Sequence, residues 1–452
     1  MSYWALFPGL ENFHKMRKIP VILLFILISL ISGRTLYPSE TVSLNSLIEE
    51  ALKNNPQIQA ARFRLEAAKA RIRLLRTLED PKFEFEYDKI TASMDNLMNN
   101  NTRPMRTFAI SQEFPFPTKF FLRRAAAQKE ANAYEQDYKE TERKVIKEVR
   151  EAYSQLFLSG KKIQLTKENL TLLSQFIEVI NKKYSVNKAN QQDSLKAQVE
   201  HSKLSNQLVL LEQEEKISQS RLNALLSRPT DDLIGAPEET NRVTSELTEE
   251  NILKLAKESR PELKSFKEML RKAEIDYSLS KQEYLPNFMV KYKREERNGG
   301  AGAWAGMIGV SIPIWFWEKQ DSFVKEAKAN MGVVKSEYQS EENTVLFEAR
   351  SSFAKFEAAK KLVDIYETGV LPQALAALQT AQRGYETDKI SFLDLLDSLR
   401  TLKDFQMEYF EAQANMEIAL ADLERSVGID LQTTSLPARP GGGPDGRQKD
   451  KI

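Results

Sequence analysis

The chain has 452 residues, 29% of them charged, and 65 basic against 64 acidic side chains leave a formal net charge of +1. That balance gives no electrostatic reason to expect nucleic acid as a partner. The absence of cysteine excludes disulfides, thiolate metal sites, a cysteine nucleophile and a lipid on an N-terminal cysteine. His14 and His201 are far apart, and His201 lies in a charged helical stretch where a solvated residue is the ordinary reading. No glycine-rich phosphate loop, catalytic triad or metal cluster stands out, so neither an enzyme nor a cofactor is expected.

In chain order, residues 1–33 read as an N-terminal extension and signal peptide. From Met16, "MRKIPVILLFILISLISG" has Arg17 and Lys18, an apolar run from Ile19 to Ile31, then small residues. The apolar run is short for a bilayer span, which favours a secretory signal cut near Gly33 over a single membrane anchor. The far end, 429–452, is rich in Pro and Gly and charged, with little to bury, and is expected to be disordered.

Between these ends the chain repeats itself. "NNPQIQAARFRLEAAKA" aligns with "SRPELKSFKEMLRKAEI", placing Pro56 on Pro261. "DPKFEFEYDK" falls on "LPNFMVKYKR", "EFPF" on "SIPI", and "KEVREAYSQL" on "FEARSSFAKF". Val149, Tyr153, Leu156, Ile163 and Leu170 meet Ala349, Phe353, Phe356, Val363 and Val370. Several landmarks in one order define a duplicated unit of about 200 residues. The first repeat is assigned to 34–228 and the second to 247–428. The Pro/Gly-bearing linker between them is 229–246.

Each repeat has one plan. A short helix opens it, with Ser43 or Thr248 as N-cap, and a second follows Pro56 or Pro261, where proline suits the first turn. A β-hairpin comes next, at about 82–114 and about 287–312. Phe83, Phe85 and Tyr87 alternate with Lys82, Glu84, Glu86 and Asp88. In the twin, Phe288, Val290 and Tyr292 alternate with Met289, Lys291 and Lys293. The return strands carry Phe108, Ile110, Gln112 and Phe114, then Trp304, Ile308, Val310 and Ile312. Strands of about nine residues with an aromatic face and a polar face suit a transmembrane barrel, with half-buried soluble hairpins as the alternative. Pro115, Pro117 and Pro313 mark the joint where strand must become helix, and Phe114, Phe116, Trp315 and Trp317 suit an interfacial aromatic girdle.

Two long helices close each repeat, over about 118–226 and about 318–427, each reaching on the order of 100 Å from joint to turn. Their apolar steps of three, four and seven are those of a coiled coil. One chain with two such hairpins buries a narrow seam and needs neighbours. Four strands cannot seal a barrel, and an open edge in lipid leaves backbone groups unpaired. Two chains would give an eight-stranded barrel filled by its own side chains, whereas three would give a channel.

This duplicated plan, over about 44–428, resembles the TolC family of outer-membrane efflux channels. The most specific segment is "RGYETDKISFLDLLDSLRTL", similar to the family's tip motif of tyrosine, turn, then Asp-x-x-Asp opening a leucine-rich helix. The resemblance implies a mainly α chain with long coiled-coil hairpins forming an α-barrel, and four transmembrane strands contributed to a trimeric β-barrel. It implies a passive exit duct in the outer membrane, its tunnel in the periplasm, serving a tripartite efflux pump or type I secretion system. The expected partners are two further copies, outer-membrane lipid, a periplasmic adaptor (membrane fusion protein) and an inner-membrane transporter.

By the same resemblance, Asp394 and Asp397 form the pore constriction, and Tyr385 with Asp193 belongs to the latch that holds the tip closed. The tip turns fall at Asn187 and Asp388, where the family pattern has glycine, and Ile390 stands where a basic residue is often found. Read without the resemblance, Asp394 is equally a first-turn residue favoured by the helix dipole and Asp397 a solvated one. A secreted or periplasmic coiled-coil scaffold without a pore is the alternative for the whole chain.

Overall fold

The computed structural model describes residues 41–89, 104–238, 248–297 and 302–431. The expected signal, the hairpin turns, most of the linker and the tail beyond 431 lie outside the described residues. The first repeat opens with α1 (Leu44–Asn54) and α2 (Pro56–Leu74), continues through β1 (Lys82–Lys89) and β2 (Pro104–Phe114), and ends in α3 (Pro117–Ser185) and α4 (Gln191–Leu226). The second runs α5 (Glu249–Ser259), α6 (Pro261–Gln282), β3 (Asn287–Arg297), β4 (Ala303–Ser311), α7 (Asp321–Ile365), α8 (Leu371–Glu386) and α9 (Phe392–Val427).

Local chemistry explains most boundaries. The Ser43 hydroxyl accepts from the Ser46 N–H and caps α1, whereas Thr248 occupies the same place before α5 without a side-chain cap. Pro56 and Pro261 each sit at the first turn of a helix, where the missing N–H would have been unpaired. The twins differ along their length. Where α3 runs unbroken through Leu172, the second repeat has Pro372, and a π-helical turn over Tyr366–Val370 separates α7 from α8. Pro372 has no N–H for the carbonyl of Thr368, and its ring crowds that carbonyl, so the chain widens just upstream.

The four strands form one antiparallel sheet in the order β1-β2-β3-β4, so the central β2–β3 pairing joins the two repeats. Phe85 opposes Phe108, Ile110 opposes Tyr292 and Val290 opposes Ile308, which collects the apolar side chains on one face. That face is bare: Phe83 is 69% exposed, Trp304 75% and Ile308 81%. The opposite face is charged on β1 and β3 but small on β2. Thr107, Ala109 and Ser111 are buried there beneath long neighbours, such as Lys291, which reaches over β2 to Glu84 of β1 at 2.5 Å.

At the joint, β2 ends on Phe114, immediately before Pro115, and Pro117 occupies the first turn of α3. Pro117 therefore has a task of its own, presetting the helix. In the twin, β4 ends on Ser311 just before Ile312-Pro313, Trp315 replaces the second proline, and the helix begins with a π turn over Phe316–Gln320. Phe116 stacks on Phe288 with centroids 6.4 Å apart, and Trp315 meets Trp317 edge-on at 5.8 Å. Lys119 lies almost wholly inside the joint. Its ammonium donates to Glu283 Oε2 at 3.1 Å, to the Leu285 carbonyl at 3.0 Å and to Asn287 Oδ1 at 3.1 Å, matching its three N–H groups.

Instead of one globular core, apolar seams run between helices. The seam of the first repeat joins Leu47, Val149, Tyr153 and Leu222; that of the second joins Ile252, Ala349, Phe356 and Leu423. Leu431 is buried in the second seam, so the start of the tail, expected to be disordered from 429, is packed as far as Leu431. Not every charge on the helices faces solvent. Arg260 is 1% exposed, with Arg150, Glu200 and Glu424 also buried.

Candidate functional site at the helical tips

At the end remote from the sheet, α3 turns into α4 and α8 into α9 by the same closure. The Lys188 N–H donates to the Lys183 carbonyl at 2.8 Å, and the Lys389 N–H donates to the Gly384 carbonyl at 2.8 Å. Asn187 (φ 60°) and Asp388 (φ 58°) supply the left-handed residue that such a closure requires. Both tip turns therefore fall at the residues expected from the sequence. Asn and Asp tolerate the conformation because their short polar side chains compensate locally for the Cβ crowding.

Beneath the turns, Phe176 and Ile180 of α3, Ala197 and Leu204 of α4, Leu378 of α8, and Phe392, Leu395 and Leu399 of α9 share one apolar cluster. Gly384 admits the Ile390 side chain, whose carbons lie 3.2–3.4 Å from where a Cβ would stand. Ile390 is thus an apolar plug in the second turn.

Tyr385 is 7% exposed, with its ring edge-on to Phe392 at 5.9 Å. Its hydroxyl has no hydrogen-bond partner among the described residues. Burial, then the carboxylates of Asp193 and Asp388, push the phenol's pKa up. Tyr385 and Asp193 are therefore brought within electrostatic reach, but no hydrogen bond joins them in the single chain. The twin tyrosine, Tyr184, is 46% exposed.

The residue that sequence reasoning missed is Lys183. From the end of α3, its ammonium donates to Asp388 Oδ1 at 2.6 Å and to the carbonyl of Tyr385, and lies 4.3 Å from the centre of the Tyr385 ring. That hydrogen bond holds the Asp388 carboxyl below the usual carboxylate range. One signal was available: Lys183-Tyr184 of the first repeat aligns with Gly384-Tyr385 of the second, so a cation stands opposite a glycine.

Asp394 and Asp397 are both exposed at the start of α9. Asp394 Oδ2 accepts from the Ser391 N–H at 3.1 Å and from the Ser391 hydroxyl at 2.7 Å, while Ser391 Oγ accepts from the Asp394 N–H at 3.3 Å. This reciprocal capping box gives Asp394 a structural role within the chain. Deeper along the hairpins, Arg400 of α9 donates to the buried Glu200 of α4, and this bond holds the Glu200 carboxyl low.

Two solvent-facing carboxylates per chain, held above a packed four-helix cluster, can bind cations electrostatically. The chain matches the model of the family described as "Outer membrane efflux protein" over residues 47–228 and 252–429. It is 25% identical to the outer membrane protein TolC of Salmonella enteritidis over 143 residues, spanning 29% of each chain. To TolC of Escherichia coli K12 it is 26% identical over 121 residues, spanning 27% of this chain and 24% of that one. In fold it is similar to the outer-membrane channel OprN, with a TM-score of 0.74, 18% identity, and 86% and 90% of the two chains covered. The family match falls on both repeats and spares the linker between them. The chain belongs to the outer membrane efflux protein family, a family of transport proteins of the outer membrane, not of enzymes.

Proposed function

We propose that the protein is the outer-membrane exit duct of a tripartite efflux pump or type I secretion system, a passive homotrimeric channel-tunnel closed at its periplasmic tips. The observation that carries this reading is the sheet. One face is aromatic, apolar and uncovered, the other charged, and both edge strands, β1 and β4, lack a partner in the single chain. Such a sheet is satisfied when the β4 of one copy pairs with the β1 of the next, apolar face to lipid and charged face to water. The duct itself supplies no energy; an inner-membrane transporter, reached through a periplasmic adaptor at the tips, provides it. Asp394 and Asp397 from three copies then form two rings around the axis, attracting cations and repelling anions.

The test is conductance in planar bilayers together with the mass of the detergent-solubilised particle by light scattering. A trimer with small, cation-preferring conductance is expected. Asp394→Asn with Asp397→Asn should lower the cation preference several-fold while leaving the particle a trimer, since Asn retains much of the first-turn capping ability. A particle of another size, or one that never conducts, leaves the coiled-coil scaffold as the better reading.

A further inference from the structure

We infer that the cavity between α3 and the C-terminal end of α9 is a binding site for one small monovalent anion, of the chloride or nitrate class, held by Arg143 and Arg150. The inference does not rest on the channel reading above, because every residue of the site belongs to one chain.

The sequence spaces the cations and the fold gathers them. Arg143, Lys147 and Arg150 are four and three residues apart, so α3 presents them on one face. With Arg425 of α9 they line a cavity of about 70 Å³, whose wall also carries Glu424 and Asp430. That volume takes one small anion with a little water, since roughly 10–15 Å³ already admits a single water. Three of the four cations are matched. Lys147 pairs with Asp422 at 2.9 Å, Arg150 with Glu424 at 2.6 Å and Arg425 with Glu140 at 2.8 Å. Arg143 is half-buried and makes no hydrogen bond or ion pair among the described residues. Burial pushes its pKa down, against the pull of the carboxylates around it. Arg150 is only 8% exposed, and its buried Nε has no acceptor. Desolvated guanidinium donors without a partner are costly, and two residues that carry them share this cavity.

The charge of the wall sets the charge of the ligand. Four carboxylates reach Arg143: Glu140, Asp430, Glu424 and Glu142. Glu140 is taken by Arg425, and Glu142 accepts from the Tyr138 hydroxyl. The Glu424 and Asp430 carboxyls are hydrogen-bonded to each other, which takes one proton between them, and burial raises the Glu424 carboxyl further. That pair carries one negative charge, which Arg150 answers. From α6, Lys264 adds another cation, its pKa pushed down by burial and then by Lys139 and Arg143. Arg143 is left without an anion of its own, and a monovalent one supplies it. A divalent oxyanion would set a second charge beside the Glu424–Asp430 pair, which disfavours it. An anion at this place ties α3 of the first repeat to the end of the second.

The experiment uses the full-length protein in detergent, with chloride replacing gluconate, which is too large for the cavity, at constant ionic strength. At pH 6 the unfolding midpoint should rise by roughly 3 °C along a saturating curve, and nitrate should act alike. At pH 8 the carboxyl pair has lost its shared proton, its second negative charge takes the place of the anion, and the rise should shrink by half or more. Glu424→Gln cannot gain that charge and should keep the chloride response at pH 8. In Arg143→Met the midpoint in gluconate should hold, since no ion pair is lost, and the chloride response should vanish. Bromide soaked into crystals of the unaltered protein should give an anomalous peak between Arg143 and Arg150, a result independent of how well any variant folds. An equal chloride response in the unaltered protein and Arg143→Met would overturn the site, as would a cavity holding water and no bromide. A bromide peak without a saturating response in solution means binding at crystal concentration only, and overturns it as well.

Discussion

The two repeats hold the same backbone with different chemistry, and the place to see this is where each long return helix meets its short helices. In the first repeat, Asn55 caps α2 and its amide donates to the carbonyl of Leu225 at 2.9 Å. In the second, Arg260 stands at the corresponding position and donates to the carbonyl of Ser426 at 3.1 Å, and its guanidinium also pairs with Glu262 and Glu348. The return helix that carries each carbonyl ends on a left-handed residue, Ser227 (φ 60°) after α4 and Gly428 (φ 81°) after α9. Two residues upstream of each carbonyl, Asn223 faces Glu424 across the alignment, both buried. At this one position the first repeat uses a neutral amide and the second a guanidinium, while an ion pair of the first repeat, Arg228 with Glu50, sits beside the amide. Duplication fixed the shape of the lock and left its electrostatics free to diverge.

The sharpest way to break this contrast is at the lock residues. Arg260→Met should destabilise the fold by about 3–5 kcal/mol, since it strands carboxylates around a buried cation site. Asn55→Ala should cost about 1–2 kcal/mol, the value of a cap and one neutral bond. Thermal unfolding of the detergent-solubilised protein by circular dichroism reads both. Equal losses would mean that the charged lock is no stronger than the neutral one.

A smaller effect separates the repeats by pH. Burial pushes the Glu424 carboxyl up to about 7, despite Arg150 at 2.6 Å and with Asp430 adding to the rise. A raised carboxyl favours its protonated form in the fold. The contribution is therefore complete below the ordinary carboxylate range and is lost as pH rises toward about 7, to the extent of about 2–3 kcal/mol. Glu424→Gln gives the second repeat the amide chemistry of Asn223. It should flatten stability between pH 5 and 7.5, and a slope that survives the substitution would place the titration elsewhere.

The smallest pair concerns the two left-handed caps. Gly428→Ala should cost about 2 kcal/mol, because φ is positive there and a Cβ would meet the Arg260 backbone at 2.9 Å. Ser227→Gly should change stability by less than about 1 kcal/mol, relieved strain offsetting the loss of a backbone-directed hydroxyl. Calorimetric midpoints of the two variants, measured side by side, distinguish a cap set by steric contact from one set by conformation alone.

What could be read from the sequence was whatever depends on period and on turn chemistry. Alternating Phe83, Phe85 and Tyr87 announced the sheet face; Asn187 and Asp388 announced the turns; and Val149, Tyr153 and Leu156 announced the seam, all three buried as their spacing demands. What escaped were the buried charges. Lys119, Lys183, Arg260 and Glu424 look like any of the chain's 129 ionisable Lys, Arg, Asp and Glu residues. Each is distinguished only by partners far along the chain, as Lys183 is by Asp388. Asp394 was legible as a carboxylate at the tip, but its capping bond to Ser391 depends on where the helix starts, and helix starts are weakly encoded.

The small residues of β2 carry one more consequence. Because Thr107, Ala109 and Ser111 leave room above them, the acidic row of β1 and the basic row of β3 close over a single strand: their backbones are two inter-strand spacings, about 10 Å, apart, yet Lys291 and Glu84 meet at 2.5 Å. The screening length at physiological salt is of similar size, about 8 Å. In the proposed channel a solute moving along this wall would meet paired charges whose fields cancel within a few water layers. In the channel proposed above, the sheet end would be an electroneutral corridor, and discrimination by charge would be left to the carboxylates at the tips.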